Sequence, residues 1–319
     1  MISIKTRIIT ASVLIAFFFV VLIILPPIYL SMIIAVICGI AAYELLNAAG
    51  ISKNKSVLIY TIIAAALVPM SVFLSLVPFM SASALFSTNA ALDTIPSGTP
   101  VTTAVGPYST LLLLTLLFSI IFIFICLLII EAVLGMKNAK AIEKGKQLKF
   151  RQIPIALVAG ILIPYMLSTL INLKSTPYGY LVVMLPVVAT VITDSGAYFT
   201  GVTIGKRKAF PTISPNKTVE GYIGGTIAGI AGMLIYGLIL FYTTPLTVIF
   251  PILILYGILG AIMTELGDLT FSLIKRKCGI KDFGKLFPGH GGALDRFDSM
   301  IFAAPTMYLL LLFLPALIM

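Results

Sequence analysis

Glu265 and Asp268 stand three residues apart in one apolar stretch, and Asp295 and Asp298 repeat that spacing at the start of the next. Residues three apart on a helix project from nearly the same face, so each pair can present both carboxylates to one ligand. Carboxylates held together repel and are driven to protonate unless a cation neutralises them. Two arrangements answer that demand. One is a hard, oxygen-seeking divalent ion such as Mg²⁺, with substrate phosphates completing its coordination. The other is a set of ion pairs in which each Asp meets a nearby Lys or Arg as a topology clamp. The intervening segment, Ser272 to Asp298, favours the first, because Lys275, Arg276, Lys281 and Arg296 could neutralise a polyphosphate. Gly289, Gly291 and Gly292 allow close backbone approach to phosphate oxygens. His290, the only histidine, stands between glycines in this charged loop and is a candidate substrate contact. The GxxxxGK[ST] pattern does not occur, so P-loop chemistry is not indicated.

A second polar island runs from Asp194 to Glu220. An acid in the hydrocarbon layer is costly and is by default a functional candidate, which singles out Asp194 together with Glu265 and Asp268. Glu44 and Glu131 also fall in apolar spans, but near their ends, where they are expected to reach water in structural roles. Lys206, Arg207 and Lys208 read as an ordinary basic flank. The run from Ser214 through Lys217 and Thr218 to Glu220 instead places hydroxyls, a cation and an acid at a helix start, which favours anions. Gly221, Gly225 and Gly229 follow at intervals of four, a small-residue face suited to close helix packing rather than catalysis.

The elements that must position these residues are membrane spans. Of 319 residues, 60% are hydrophobic and 10% charged, and the mean hydropathy is +1.15, which excludes a water-soluble domain. Repeated apolar stretches of about 20 residues match the bilayer core and define an all-α polytopic integral membrane protein. The runs are continuously apolar rather than alternating, which excludes a porin-type barrel. Nine spans are expected, near 8–25, 28–47, 57–79, 109–134, 154–172, 179–200, 221–243, 246–274 and 296–318. With the N-terminus inside, every one of the 21 Lys and Arg residues except Lys174 falls in a cytoplasmic segment, and the C-terminus falls outside. The net charge of +10 is therefore a matter of topology and not of nucleic-acid binding.

Residues 1–172 are expected to form an N-terminal membrane region with an outward-facing insertion at 81–108. Residues 173–319 are expected to carry the catalytic region, with cytoplasmic loops at 201–220 and 275–295. Lys5 and Arg7 precede a long first run without a small-residue cleavage site, so an uncleaved span is expected there. Cys38, Cys126 and Cys278 are scattered, with no metal-ligand spacing. No internal duplication is apparent, which weakens a transporter reading. The glycine-rich span permits helix pairing into a homodimer.

The segment Ser272–Asp298 resembles the signature of the phosphatidate cytidylyltransferase (CDP-diacylglycerol synthase) family, S-x-x-K-R-x4-K-D followed by H-G-G-x-x-D-R-x-D. Ser272, Lys275, Arg276, Lys281 and Asp282 fill the first part; His290, Gly291, Gly292, Asp295, Arg296 and Asp298 fill the second. Asp194-x-x-Ala-Tyr, the run Ser214–Gly221 and the Gly267-Asp268 pair are also similar to that family, whereas residues 1–170 match it in hydropathy alone. The resemblance implies transfer of a cytidylyl group from CTP to phosphatidate, giving CDP-diacylglycerol and pyrophosphate, with Mg²⁺ and a monovalent cation such as K⁺. It implies Asp268 and Asp295 as metal ligands with Asp298 beside them, and Lys275, Arg276 and His290 as further catalytic groups. Asp194, Ser214, Lys217, Thr218, Glu220, Lys281, Asp282, Gly291, Gly292 and Arg296 are then the substrate-binding set. The expected location is a bacterial cell membrane, with the site facing the cytoplasm. Transfer to another lipid phosphate, and secondary transport, are the alternatives.

Overall fold

A computed structural model of the chain describes residues 16–77, 107–137, 148–287, 289 and 291–318. Among them, eight helices are long and apolar enough to cross a bilayer. They are α1 (Pro27–Ala48), α2 (Lys55–Leu76), α3 (Pro107–Lys137), α4 (Phe150–Lys174), α5 (Gly179–Thr203), α6 (Val219–Thr243), α7 (Phe250–Lys277) and α8 (Leu294–Phe313). These are the second to ninth expected spans. Residues 8–15 of the first span lie outside the described residues, and its described end closes in a π-turn at Val20–Ile24. Residues 81–106 of the insertion and 138–147 of the basic stretch also lie outside them.

Local chemistry sets the boundaries. Pro27 opens α1 at a position where its missing N–H costs nothing. Asn54 caps α2 by accepting from Val57 N at 3.2 Å. The Asn54 amide also donates to Glu131 Oε1 at 2.9 Å, so Glu131 ties α3 to the start of α2 rather than merely reaching water. The last span is shorter than expected. Pro315 cannot continue a helix and disfavours helical backbone at Leu314, so α8 stops at Phe313. Leu317–Ile318 then pairs antiparallel with Thr247–Val248, just before α7.

Lys174, the one cation outside the expected basic side, is only 4% exposed. Its ammonium donates to the carbonyls of Leu22 at 2.6 Å and Ile23 at 3.0 Å. Those carbonyls belong to the π-turn that ends the first span, where intrahelical donors run out. A cation is favoured at a helix C-terminus, so this lysine is a cap and not a topological signal. Lys174→Met is expected to strand both carbonyls, cost about 1–3 kcal/mol, and lower the melting temperature in detergent. An unchanged melting temperature by scanning fluorimetry would refute the cap.

The most extensive helix–helix packing joins α5 to α6. Small residues permit it: Gly196 of α5 meets Ala228, Gly225 of α6 meets Ala197 and the Thr193 carbonyl, and Gly229 sits between Thr193 and Ala261 of α7. The expected small-residue face is thus occupied within the chain, with α5 on one side and α7 on the other. One apolar core runs from α1 through α8, and α8 packs against α1, α4, α5 and α7. Leu111, Leu114 and Phe118 of α3, with Ile223 and Ile227 of α6, face outward, as helices immersed in lipid require.

Candidate active site

The pairing of residues 247–248 with 317–318 holds the end of α8 beside the start of α7. At the opposite end of the bundle, α5 and α7 therefore finish where α6 and α8 begin. Between α5 and α6 runs an antiparallel hairpin, β1 (Lys208–Phe210) and β2 (Ser214–Thr218). Thr218 closes the hairpin and caps α6, accepting from Gly221 N at 3.1 Å. Glu220 accepts from the amides of Lys206 and Arg207, each at 3.1 Å from its Oε2, and so fixes the base of the hairpin. Arg276 fastens the other side: its Nε donates to Ile213 O at 3.1 Å and its Nη1 to Ile280 O at 3.4 Å. Gly279, at φ +70°, ends α7 in the left-handed conformation and turns the chain into the loop that follows.

Three acids from three helices meet below this hairpin. Asp194 of α5, Asp268 of α7 and Asp298 of α8 lie within electrostatic reach of one another. Lys217, at the end of β2, pairs with Asp268 Oδ2 at 2.5 Å and stands over the Tyr222 ring at 5.3 Å. Burial pulls the Lys217 ammonium down, but Asp268, with smaller help from Tyr222 and Asp194, outweighs it, so its pKa stands above the ordinary lysine value. Ser272 donates to Asp268 Oδ1 at 3.1 Å, and Ser299 is within hydrogen-bonding reach of Asp194. Asp194 and Asp298 have no ion-pair partner among the described residues. Asp194 and Asp268 are each nine residues, about 13 Å at 1.5 Å per residue, from the end of their helices, whereas Asp298 is four residues into α8 and Lys217 precedes α6.

The second node is built around Asp295, in the first turn of α8. Its Oδ1 pairs with Lys275 Nζ at 2.9 Å, and its Oδ2 accepts from Phe283 N at 2.8 Å and Gly292 N at 3.0 Å. Lys275 also faces the Phe283 ring at 5.6 Å. Beside it Glu44 of α1, 4% exposed, accepts from Ala293 N at 3.0 Å and Leu294 N at 2.9 Å, capping α8 from another helix. The loop can take this path only with glycine. Gly291 is at φ +87°, and a Cβ there would stand 2.9 Å from Asp295 Oδ2; one on Gly292 would strike the Glu44 carboxylate. The close approach that these glycines permit is made here by two carboxylates of the protein.

The two expected acid pairs are therefore split. Positions three apart differ by about 60° around a helix, enough to send the members of each pair into different interfaces. Asp268 and Asp298 enter the cluster with Asp194. Asp295 turns to Lys275, and Glu265 turns toward Gly225 of α6, its Oε1 buried without a partner. Of the two arrangements considered for the acids, the ion pairs are present: Lys217–Asp268 and Lys275–Asp295 are the ion pairs among the described residues. Lys281, Asp282 and Arg296 are exposed, and Ser214 lies in the hairpin opposite Phe210. His290 lies outside the described residues. Sequence reasoning did not assign Glu44, Phe283 or Ser299 to the site. Only Glu44 carried a signal: a buried acid in an apolar helix must find donors on another element.

Fold and charge distribution together define an all-helical integral membrane protein whose acids and lysines converge at one end of the bundle. The chain belongs to the cytidylyltransferase family, whose sequence profile matches residues 5–314. The phosphatidate cytidylyltransferase of Bacillus subtilis (strain 168) is 39% identical over 163 residues, covering 51% of this chain and 59% of that protein. The phosphatidate cytidylyltransferase of Staphylococcus haemolyticus (strain JCSC1435) is 44% identical over 135 residues, covering 42% of this chain and 48% of that protein. The chain thus spans between about half and three-fifths of the length of these bacterial relatives.

Proposed function

We propose that this protein transfers the cytidylyl group of CTP to phosphatidate, releasing pyrophosphate and leaving CDP-diacylglycerol in the membrane. The observation that carries the reading is the convergence of Asp194, Asp268 and Asp298 with Lys217 at one end of the bundle, in a chain similar to proteins of that name. A charged centre at the ends of membrane-spanning helices can be reached by a nucleotide from water and by a lipid headgroup from the leaflet. The basic segments at this end of the bundle favour a cytoplasmic face.

The acids fit Mg²⁺. Their donors are all carboxylate oxygens, and Asp194 and Asp298 have no ion-pair partner among the described residues. Among those residues no three Asp, Glu, His or Cys side chains stand close enough to hold one metal ion, so an ion here would rest on one or two carboxylates and take its other positions from water and substrate phosphates. Asp268 and Asp298 would hold it, with Asp194 nearby, while Asp295 stays paired with Lys275. Such an ion would offset negative charge on the triphosphate. A monovalent cation such as K⁺ is the further expectation at this site.

The remaining chemistry belongs to the chain. A phosphatidate oxygen attacks the α-phosphorus of CTP, the new P–O bond forms, and the bond to the β-phosphate oxygen breaks. Phosphate monoesters carry a charge of about −1.5 to −2 near neutral pH, so no dedicated base is required. Lys217 and Lys275, held in place by Asp268 and Asp295, supply positive charge where it builds on the leaving pyrophosphate. Glu220 fixes the base of the hairpin and Arg276 fastens it to the end of α7, a positioning role.

Labelled CTP, phosphatidate and Mg²⁺ supplied to purified protein in detergent are expected to yield CDP-diacylglycerol. In sealed membranes, external CTP should be used by inverted vesicles and not by right-side-out ones. Folded, monodisperse protein that forms no product would overturn the reading. Preferential use of a polyprenyl phosphate would replace the acceptor.

A further inference from the structure

We propose that Glu44 is a positioning residue for the transfer reaction: its carboxylate, supplied by α1, clamps the loop after α7 to the start of α8 and so sets where Asp295, Lys275 and Asp298 stand. The kinetic consequence rests on the reading above; the clamp itself rests on the geometry of the loop.

α8 cannot cap itself. Ala293 stands at its N-cap and has no side-chain oxygen, so the first amides of the helix need an acceptor from elsewhere. Glu44 supplies both of its oxygens, Oε1 to Ala293 N and Oε2 to Leu294 N. No Lys or Arg pairs with Glu44 among the described residues, although Lys281 and Lys285 border the same cleft. Its charge is offset by backbone amides and by the positive end of α8, which ties the carboxylate to the course of the chain and not to a side chain.

Both arms of the loop meet on this carboxylate. A Cβ on Gly284 or on Gly292 would strike it. Asp295 takes the neighbouring amides, those of Phe283 and Gly292, and Phe287 N donates to Gly291 O at 2.9 Å. Two acids thus accept four amides between residues 283 and 294, one acid from α1 and the other from α8 itself. Glu44 and Asp295 lie within electrostatic reach of each other, a repulsion that the four amides and Lys275 offset. Leu294 precedes Asp295 by one residue and Asp298 by about one helical turn, so the hold on its amide reaches both. A misplacement of about 1 Å can cost about 10²-fold in rate, and a residue that touches no substrate can therefore govern turnover.

Glu44→Ala in the full-length protein, assayed in detergent with CTP, phosphatidate and Mg²⁺, is the test. The Ala293 and Leu294 amides should exchange with deuterium about tenfold faster or more, and kcat per folded molecule should fall about 10–100-fold, while KM for CTP and for phosphatidate stays within about twofold of wild type. The place left by the side chain borders a cleft of about 660 Å³ lined by the exposed Lys281 and Lys285, and its two amides match the two oxygens of a carboxylate. Formate or acetate should therefore restore kcat about fivefold or more, whereas chloride or acetamide at the same concentration should not. Should Glu44→Ala fail to fold, Glu44→Gln keeps the size of the side chain and one acceptor oxygen, and kcat there should fall about fivefold with the same KM values. A lower melting temperature with kcat within about twofold of wild type would mean a structural cap only and would overturn the proposal. Rescue by chloride or acetamide as well as by carboxylates, or by none of them, would overturn it too. Wild-type protein that makes no CDP-diacylglycerol would reject the enzymatic reading, and amide exchange alone would then decide whether Glu44 holds the loop, so the two fail separately.

Discussion

Asp268→Asn is expected to reduce CDP-diacylglycerol formation by about 10²–10³-fold or more, the range seen when one preorganised electrostatic group is removed, while the protein remains folded. Asp268 is where the site's charges join. Its Oδ2 holds Lys217 at 2.5 Å, its Oδ1 accepts from Ser272, and Asp194 and Asp298 both feel its charge. Asparagine has nearly the same shape but one acceptor oxygen and an amide that can only donate. Facing Lys217, that amide would set donor against donor; facing Ser272, it would leave the hydroxyl to turn elsewhere. Neither change reaches the apolar core, and both side chains of the ion pair are about a quarter exposed, so the effect on melting temperature should be small. The decisive control is the double variant Asp268→Asn/Lys217→Met, which restores charge balance. If Asp268 served only to neutralise Lys217, activity would return in the double variant. We expect no recovery, because the carboxylate is also needed toward the phosphates and their counter-ion. Recovery to within tenfold of wild type would reject that role.

Asp295→Asn should be as damaging to activity, and it should also destabilise the protein. This carboxylate is 7% exposed and uses both oxygens, one for Lys275 and the other for the amides of Phe283 and Gly292. An amide cannot satisfy all three donors in either orientation. Breaking a buried pair from one side costs about 3–5 kcal/mol because a charge is left uncompensated. Lys275 would be freed, the 283–292 loop would lose its anchor, and the first turn of α8 that carries Asp298 would lose its support. Hydrogen exchange separates this from a purely chemical defect. The Phe283 and Gly292 amides should exchange at least tenfold faster in the variant, whereas in Asp268→Asn they should exchange as in wild type. Unchanged protection at both amides would show that Asp295 does not hold the loop.

The contrast between these two acids shows what could be read in the sequence. Both belong to i, i+3 pairs, and from spacing alone Glu265 is as good a ligand as Asp268, and Asp295 as good as Asp298. The structure separates them because a helix packed on two sides offers different neighbours at positions about 60° apart. The same holds for Gly291 and Gly292. Their need for close approach was legible, but the oxygens that approach belong to Asp295 and to Glu44, a residue some 250 positions away in the chain. Lys174 was visible as the exception to the charge asymmetry, and its reason lay in two carbonyls at the end of another span.

Sequence by itself determined the all-helical polytopic class, the approximate edges of the spans in the described residues, and the two polar segments that carry the chemistry. Those features are local: hydrocarbon thickness sets span length, proline and capping residues set the ends, and an acid in an apolar run is conspicuous wherever it sits. Tertiary structure alone decided which acid faces which cation, because that depends on how four helix ends are rotated against one another. The glycines of α6 bring α5 and α7 together, and Glu44 of α1 fixes the start of α8. With those contacts made, Asp194, Asp268 and Asp298 lie within electrostatic reach of one another, while Asp295, three residues from Asp298, holds a lysine and a loop in place.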